Sequence, residues 1–256
     1  MPWLRKTLLP GLLTALIGWA GCHQNPSAPA KQDRNAGTFP IDATTTGAIK
    51  GVIRFNGAAP ARIPIDMTLD PGCAMSKERN LSEGVIVNAG RLENVFVYVK
   101  DGLGNYIVPR PSGAVVVDQV GCRYRPHVVG MVTGQTLRVL NSDISEHNVH
   151  AVARNNPQWN ESQMPKGAPR EHVLNNPELG LMVTCNQHPW MRMYVNVVEN
   201  PFFAVSDADG NFQISGLPPG RYTIEAVHEK LGAQQTKITI AARETGNLDF
   251  TFFPAP

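Results

Sequence analysis

Cys185-Asn186-Gln187-His188-Pro189-Trp190-Met191 sets a thiol, an imidazole and a thioether at C-x2-H-x2-M spacing. A loop this short keeps all three side chains at one end of the strands it joins. Thiolate and thioether are soft ligands and imidazole is borderline. The set suits copper, which takes two imidazoles and a thiolate in a trigonal plane with a distant Met sulfur on the axis. One imidazole is lacking. Upstream, Asn141-Ser142-Asp143-Ile144-Ser145-Glu146-His147-Asn148-Val149-His150 follows directly on the alternating run from Gln135 to Leu140. In a sandwich, the end of a strand roughly 40 residues earlier can lie beside a later loop, because Greek-key connections pair non-adjacent strands. His147 is therefore the expected fourth ligand, beside Cys185, His188 and Met191. With all four positions filled by the chain, no open position of the kind a catalytic metal keeps is left, and the constellation reads as a carrier and not as an enzyme.

The elements that must position these ligands are strands. From residue 47 onward, short alternating runs are separated by Gly, Pro, Asn and Asp, as in antiparallel sandwiches. Leu137 and Val139 flank Arg138, Tyr222/Ile224/Ala226 alternate with Thr223/Glu225, Ile238/Ile240 with Lys237/Thr239, and Leu248/Phe250/Phe252 with Asp249/Thr251. Each run has one face to bury. Val95 to Val99 is apolar on both faces and is expected at the centre of a sheet or at a domain contact. The 256 residues, with 23 Gly, 21 Pro, 42% apolar and 17% charged residues, exclude a disordered chain or a coiled coil. The fold class is all-β, as two modest domains or one large one.

The first 22 residues form an export signal: basic Arg5-Lys6, an apolar run from Leu8 to Trp19, then Ala20-Gly21 before Cys22. Small residues before Cys22 resemble the lipoprotein box, which implies cleavage after residue 21 and lipidation of Cys22. Residues 22–46 are polar and are expected to act as a tether spanning about 25 Å, holding the protein to a membrane that faces the periplasm. The 23 Lys+Arg against 21 Asp+Glu become balanced once Arg5 and Lys6 are removed. A balanced chain lacks the clustered cations that neutralise phosphates, so nucleic-acid binding is excluded. No G-x-S-x-G, H-E-x-x-H or G-x-x-x-x-G-K motif is present.

Residues 112–199 resemble the blue-copper cupredoxins, the amicyanin type in particular. The likeness runs in order through Ala114-Val115-Val116-Val117-Asp118, Val132-Thr133-Gly134-Gln135-Thr136, His147-Asn148-Val149-His150, Cys185 to Met191, and Val195-Asn196-Val197-Val198-Glu199. It implies a Greek-key sandwich holding one type 1 copper, with His147 and His188 as imidazole ligands, Cys185 as thiolate and Met191 as weak axial ligand. Asn186 replaces the family's Thr or Ser, and Cys122 with Arg123 to His127 is an addition, which leaves open whether the Asn148 side chain ties the two ligand segments together. Residues 200–254 resemble a carboxypeptidase-regulatory-like domain of transthyretin-like sandwich type, without its usual opening strand. Gly47 to Phe55 is a run of the right kind. The expectation is a discontinuous sandwich of residues 47–111 with 200–254, into which the cupredoxin segment is inserted; consecutive domains 47–199 and 200–254 are the simpler alternative.

The four cysteines partition as Cys22 lipidated, Cys73 with Cys122 in a disulfide, and Cys185 single for the metal. A second metal site made by Cys73 and Cys122 with His127 is the alternative. His188, flanked by Pro189 and Trp190, is expected to be the ligand nearest the surface, where an apolar patch would dock a periplasmic redox partner of cytochrome or dehydrogenase type. The reading is a membrane-tethered single-electron carrier, with a copper-binding or delivery protein, or a binding subunit of a periplasmic oxidoreductase, as alternatives.

Overall fold

A computed structural model describes residues 38–76 and 80–254. The export signal, Cys22 and the first part of the tether lie outside the described residues. Apart from one helical turn, Pro71–Ala74, the regular structure is strand throughout. Among the described residues no helix is long and apolar enough to cross a membrane. Within the segment expected to be a tether, Phe39–Pro40 pairs in parallel with Tyr106–Ile107, and the Arg243 amide donates to the Thr45 carbonyl at 3.0 Å.

The strands form two β-sandwiches. In the first, one sheet runs in the order Arg170–Val173, Thr136–Asn141, Val115–Gln119, Tyr124–Arg125. The other runs Trp159–Gln163, His147–Val152, Glu178–Thr184, Arg192–Val198, Val128–Val132. Alternation decides what faces inward. His147, Val149 and Ala151 are buried while Asn148, His150 and Val152 are not; Leu181, Val183 and Cys185 share the inner face of the neighbouring strand, and Met191, Met193, Val195 and Val197 that of the next. Ligand-type residues thus continue the rows that build the core, where each buried aliphatic side chain contributes about 1.5–3 kcal/mol. His150 stands opposite Thr184, so His147 and Cys185 emerge at the same end of adjacent strands.

In the second sandwich, Gly47–Phe55 pairs with Asn211–Leu217, Thr245–Asn247 and Phe250–Phe252. Phe96–Asp101 lies between Phe203–Val205 and Gly220–His228, which in turn pairs with Gly232–Ile240. Val95, Val97 and Val99 enter this core, whereas Phe96 and Tyr98 turn the other way and pack with Val128 and Val198 of the first sandwich. The doubly apolar run Val95 to Val99 therefore serves both cores. Gly130 permits the contact, since a Cβ there would stand 2.5 Å from ring carbons of both Phe96 and Phe203.

Residues 56–76 and 80–82, between Phe55 and Val87–Asn88, leave the second sandwich and reach the first. Met67 and Cys73 join its core, and Asp70 reaches its ligand end. This excursion is the cover of the candidate centre. Its helical turn begins at Pro71 because Asp70 caps it, accepting the Gly72 and Cys73 amides at 2.8 and 3.1 Å, and proline suits the first helical position.

Candidate metal centre

The turn between Thr136–Asn141 and His147–Val152 delivers the upstream imidazole. The buried Asn141 amide donates to the Ser145 carbonyl at 3.0 Å and the Gln163 carbonyl at 3.1 Å, and Gln163 in turn donates to the Val139 carbonyl at 3.0 Å. These bonds fix a loop that would otherwise move. Tyr124, fully buried, donates its hydroxyl to the Asn148 carbonyl and lies 3.1 Å from the Thr184 carbonyl, joining the ends of the two ligand strands.

His147, Cys185 and His188 meet: one ligand atom from each lies within 4.8 Å of the others. The two Nδ1 atoms face one another at 2.9 Å, with the Cys185 Sγ 3.6 Å from that of His188. The outer nitrogens are held by carboxylates, His147 Nε2 by Asp143 at 2.9 Å and His188 Nε2 by Asp70 at 3.0 Å. The Asn148 amide donates to the Cys185 sulfur at 3.2 Å. Met191 is buried in the same core, and its backbone closes the loop, Cys185 N–H to Met191 O at 3.2 Å and Met191 N–H to His188 O at 2.9 Å.

This donor set fits a cation. A neutral imidazole that donates through Nε2 carries a lone pair on Nδ1. Two such lone pairs aimed at each other beside a thiolate repel unless a proton or a metal ion lies between them. Burial opposes ionisation of Cys185, but hydrogen bonds from His147, His188 and the Asn148 and Gln187 amides outweigh it and hold the thiol down to about 6. Burial likewise disfavours a charged His147, yet Asp143 and the Cys185 sulfur raise it to about 9. His188 moves in the same direction, with burial again opposed by Cys185 and Asp70.

Three placements refine the sequence reading. His188 is buried at 3% accessible, level with Cys185 at 3% and above Met191 at 1% and His147 at 0%, because the cover lays Asp70 and Cys73 over its outer edge. Trp190 is half-buried, its indole N–H donating to the Cys122 carbonyl at 3.1 Å and its ring 5.2 Å from that of His188, so it belongs to the packing under the cover. The Asn148 side chain bonds Asn160, while His150 Nδ1 meets the Asn186 side chain at 2.9 Å and ties strand to loop in its place. Cys73 and Cys122 are disulfide-bonded, with Cα atoms 5.5 Å apart. His127 stands apart from them, with Nε2 2.7 Å from Glu229.

Asp70, Asp143, Tyr124 and the Asn148 amide were not foreseen from sequence. Asp143 had a signal, four residues before His147 in a strand-end turn. Asp70 had only its Asp-Pro-Gly cap pattern, which announces a turn and says nothing of a partner 118 residues away.

Residues 189–252 match the family model of the carboxypeptidase regulatory-like domain. No curated protein matches the chain. Among solved structures, a tryptophan-to-tyrosine variant of reduced amicyanin is 27% identical over 34% of this chain and 85% of its own, with a TM-score of 0.31. A purple cupredoxin from Nitrosopumilus maritimus is 22% identical over 32% of this chain and 98% of its own, with a TM-score of 0.28. A copper-containing nitrite reductase from Thermus scotoductus is 19% identical over 58% of this chain and 28% of its own, with a TM-score of 0.31.

Proposed function

We propose that the chain is an exported, lipid-anchored single-electron carrier that holds one type 1 copper through His147, Cys185, His188 and Met191. The observation that carries this reading is the inward turn of two imidazole Nδ1 atoms beside the Cys185 sulfur. Copper bound there supplies a one-electron couple whose two states accept the same soft and borderline donors. The residues keep the donors still. Asp143 and Asp70 select the imidazole tautomer that leaves Nδ1 free, and the Asn148 amide stabilises negative charge on sulfur. The cover excludes water. A carrier, and not an enzyme, agrees with four positions supplied by the chain.

On this reading the metal sandwich is inserted into the second one, since strand Gly47–Phe55 shares a sheet with Asn211–Leu217 and Phe250–Phe252 on the far side of it. The partner is a periplasmic redox protein, met across the outer face of the cover. The test is the absorption spectrum of the oxidised, copper-loaded protein. An intense thiolate-to-copper band at about 600 nm is expected, abolished by Cys185→Ser, with reversible bleaching on addition of one electron. A copper-loaded protein without that band would remove the electron-carrier reading.

A further inference from the structure

The two carboxylates that hold the imidazoles are themselves held, and by one device. Asp70 Oδ1 accepts the Gly72 and Cys73 amides and the Ser145 hydroxyl, the last at 2.9 Å, which leaves Oδ2 for His188. Asp143 repeats the pattern from the opposite side, Oδ1 accepting the Gly121 amide at 2.7 Å and Oδ2 the Cys122 amide at 2.8 Å together with His147. The two cysteines whose amides bind these carboxylates are bonded to each other. Both are buried, and the Cys73 sulfur lies 3.5 Å from His188 Nε2.

We propose that Asp70, Cys73, Cys122 and Asp143 form a single clamp that sets the tautomer of both imidazoles, and that the disulfide acts on the metal centre through these carboxylates. The proposal rests on the copper reading above and adds to it four positioning residues that touch no metal. Its logic is chemical. The two tautomers of a free imidazole differ little, and the wrong one puts a hydrogen on Nδ1 where a lone pair must bind. A hydrogen bond to a charged acceptor is worth about 1.5–3 kcal/mol, enough to hold one tautomer. It acts only while the acceptor stays in place. Asp143 stands on the ligand strand's own turn, but Asp70 stands on the cover, a separate length of chain. The Cys73–Cys122 bond joins the cover to the segment that Asp143 grips.

The experiment has two arms. In metal-free protein, imidazole 15N shifts report the tautomer without any copper chemistry. The native chain is expected to show His188 carrying its hydrogen on Nε2, and Asp70→Ala a mixture. In Co(II)-loaded protein, Asp70→Ala and the Cys73→Ser/Cys122→Ser pair are each expected to weaken binding about 10- to 100-fold. Asp70→Asn, which keeps the shape but must turn an N–H2 group either to His188 Nε2 or to the three donors on Oδ1, should weaken binding as Asp70→Ala does. With copper bound, loss of the Asp70 charge should move the one-electron equilibrium about tenfold toward the reduced state, or 59 mV. That shift should persist in Asp70→Asn, where a merely structural role would leave the potential unchanged. Should the cysteine pair fail to fold, the Asp70 variants still decide. An unchanged His188 tautomer and Co(II) affinity within twofold in Asp70→Ala would overturn the clamp. A native chain that binds Co(II) with the Nε2–H tautomer but gives no blue copper band would retain the clamp and overturn the carrier.

Discussion

Loading the centre with a metal ion must displace protons, and the structure says how many. The Nδ1 atoms of His147 and His188 are 2.9 Å apart, a gap that holds one hydrogen, because a second would set two N–H groups head to head. His147, raised to about 9 by Asp143 and the Cys185 sulfur against the effect of burial, keeps that proton through neutral pH. Cys185, held down to about 6 by its hydrogen bonds against burial, has lost its own. The signs follow: the imidazolium proton is bound below about 9 and must leave, so affinity rises with pH up to that point; the thiol proton is bound only below about 6 and adds a second loss there. Apparent affinity for Cu(II) should climb about tenfold per pH unit between 6 and 9, which from pH 7 to 9 is about 100-fold or about 2.7 kcal/mol. The slope should steepen below pH 6, where the thiol is protonated as well, and flatten above 9. Calorimetry in buffers of different ionisation enthalpy should count about one proton released per ion at pH 7.5 and more at pH 5. Release of no proton at pH 7.5 would refute the reasoning, since the facing nitrogens could then not be sharing one.

Gly130→Ala should drive a methyl group into the Phe96 and Phe203 rings and lower stability by about 1–3 kcal/mol in urea unfolding, with the metal-centre spectrum unchanged. Glu83→Ala should leave the buried Arg123 guanidinium without its 2.8 Å carboxylate partner and lower stability by about 3 kcal/mol. Burial opposes the charge on Glu83, but Arg125 and Arg123 hold its carboxyl below its ordinary value, so its contribution is present above pH 4.5 and is lost as pH falls further; chemical unfolding at pH 7 and pH 3 measures it. Leu69→Lys, at a 93% exposed position beside Asp70 on the cover, should slow electron exchange with a redox partner while leaving the copper band unchanged in the absorption spectrum.

What the sequence could convey follows the range of each interaction. The meeting of Cys185 and His188 is legible because a seven-residue loop leaves them nowhere else to go. His147 is legible because strand alternation puts it in the row of Val149 and Ala151, and a run of that kind has only one buried face. The all-β class is written in the same alternation, repeated from Gly47 to Phe252. The cover was not legible. The sequence from 56 to 82 has neither the period of a strand nor that of a helix, and the contacts of Asp70 and Cys73 run to His188 and to Cys122, too far along the chain for local pattern to record. The depth at which His188 is buried was hidden for that reason: Pro189 and Trp190 sit at a loop tip, but chain from the other sandwich lies over the imidazole.

The roof changes what should govern the centre. A site that gains and loses an electron with little rearrangement needs donors that stay put, and donors stay put only if the groups behind them do. Behind His147 and His188 stand carboxylates, and behind the carboxylates stand the backbone amides of Gly72, Cys73, Gly121 and Cys122. Backbone amides on both sides of a disulfide have almost no freedom to follow a side chain, and in a dry pocket each of these bonds is stronger than it would be in water. The Trp190 ring, 5.2 Å from that of His188, has one hydrogen bond behind it, from its indole N–H to the Cys122 carbonyl, and otherwise only packing. On the proposed copper reading, removing two oxygen atoms at Asp70 should therefore disturb the centre more than replacing the whole indole at Trp190 by phenylalanine. The order of the two effects on the reduction potential separates a centre tuned by its hydrogen bonds from one tuned by its packing.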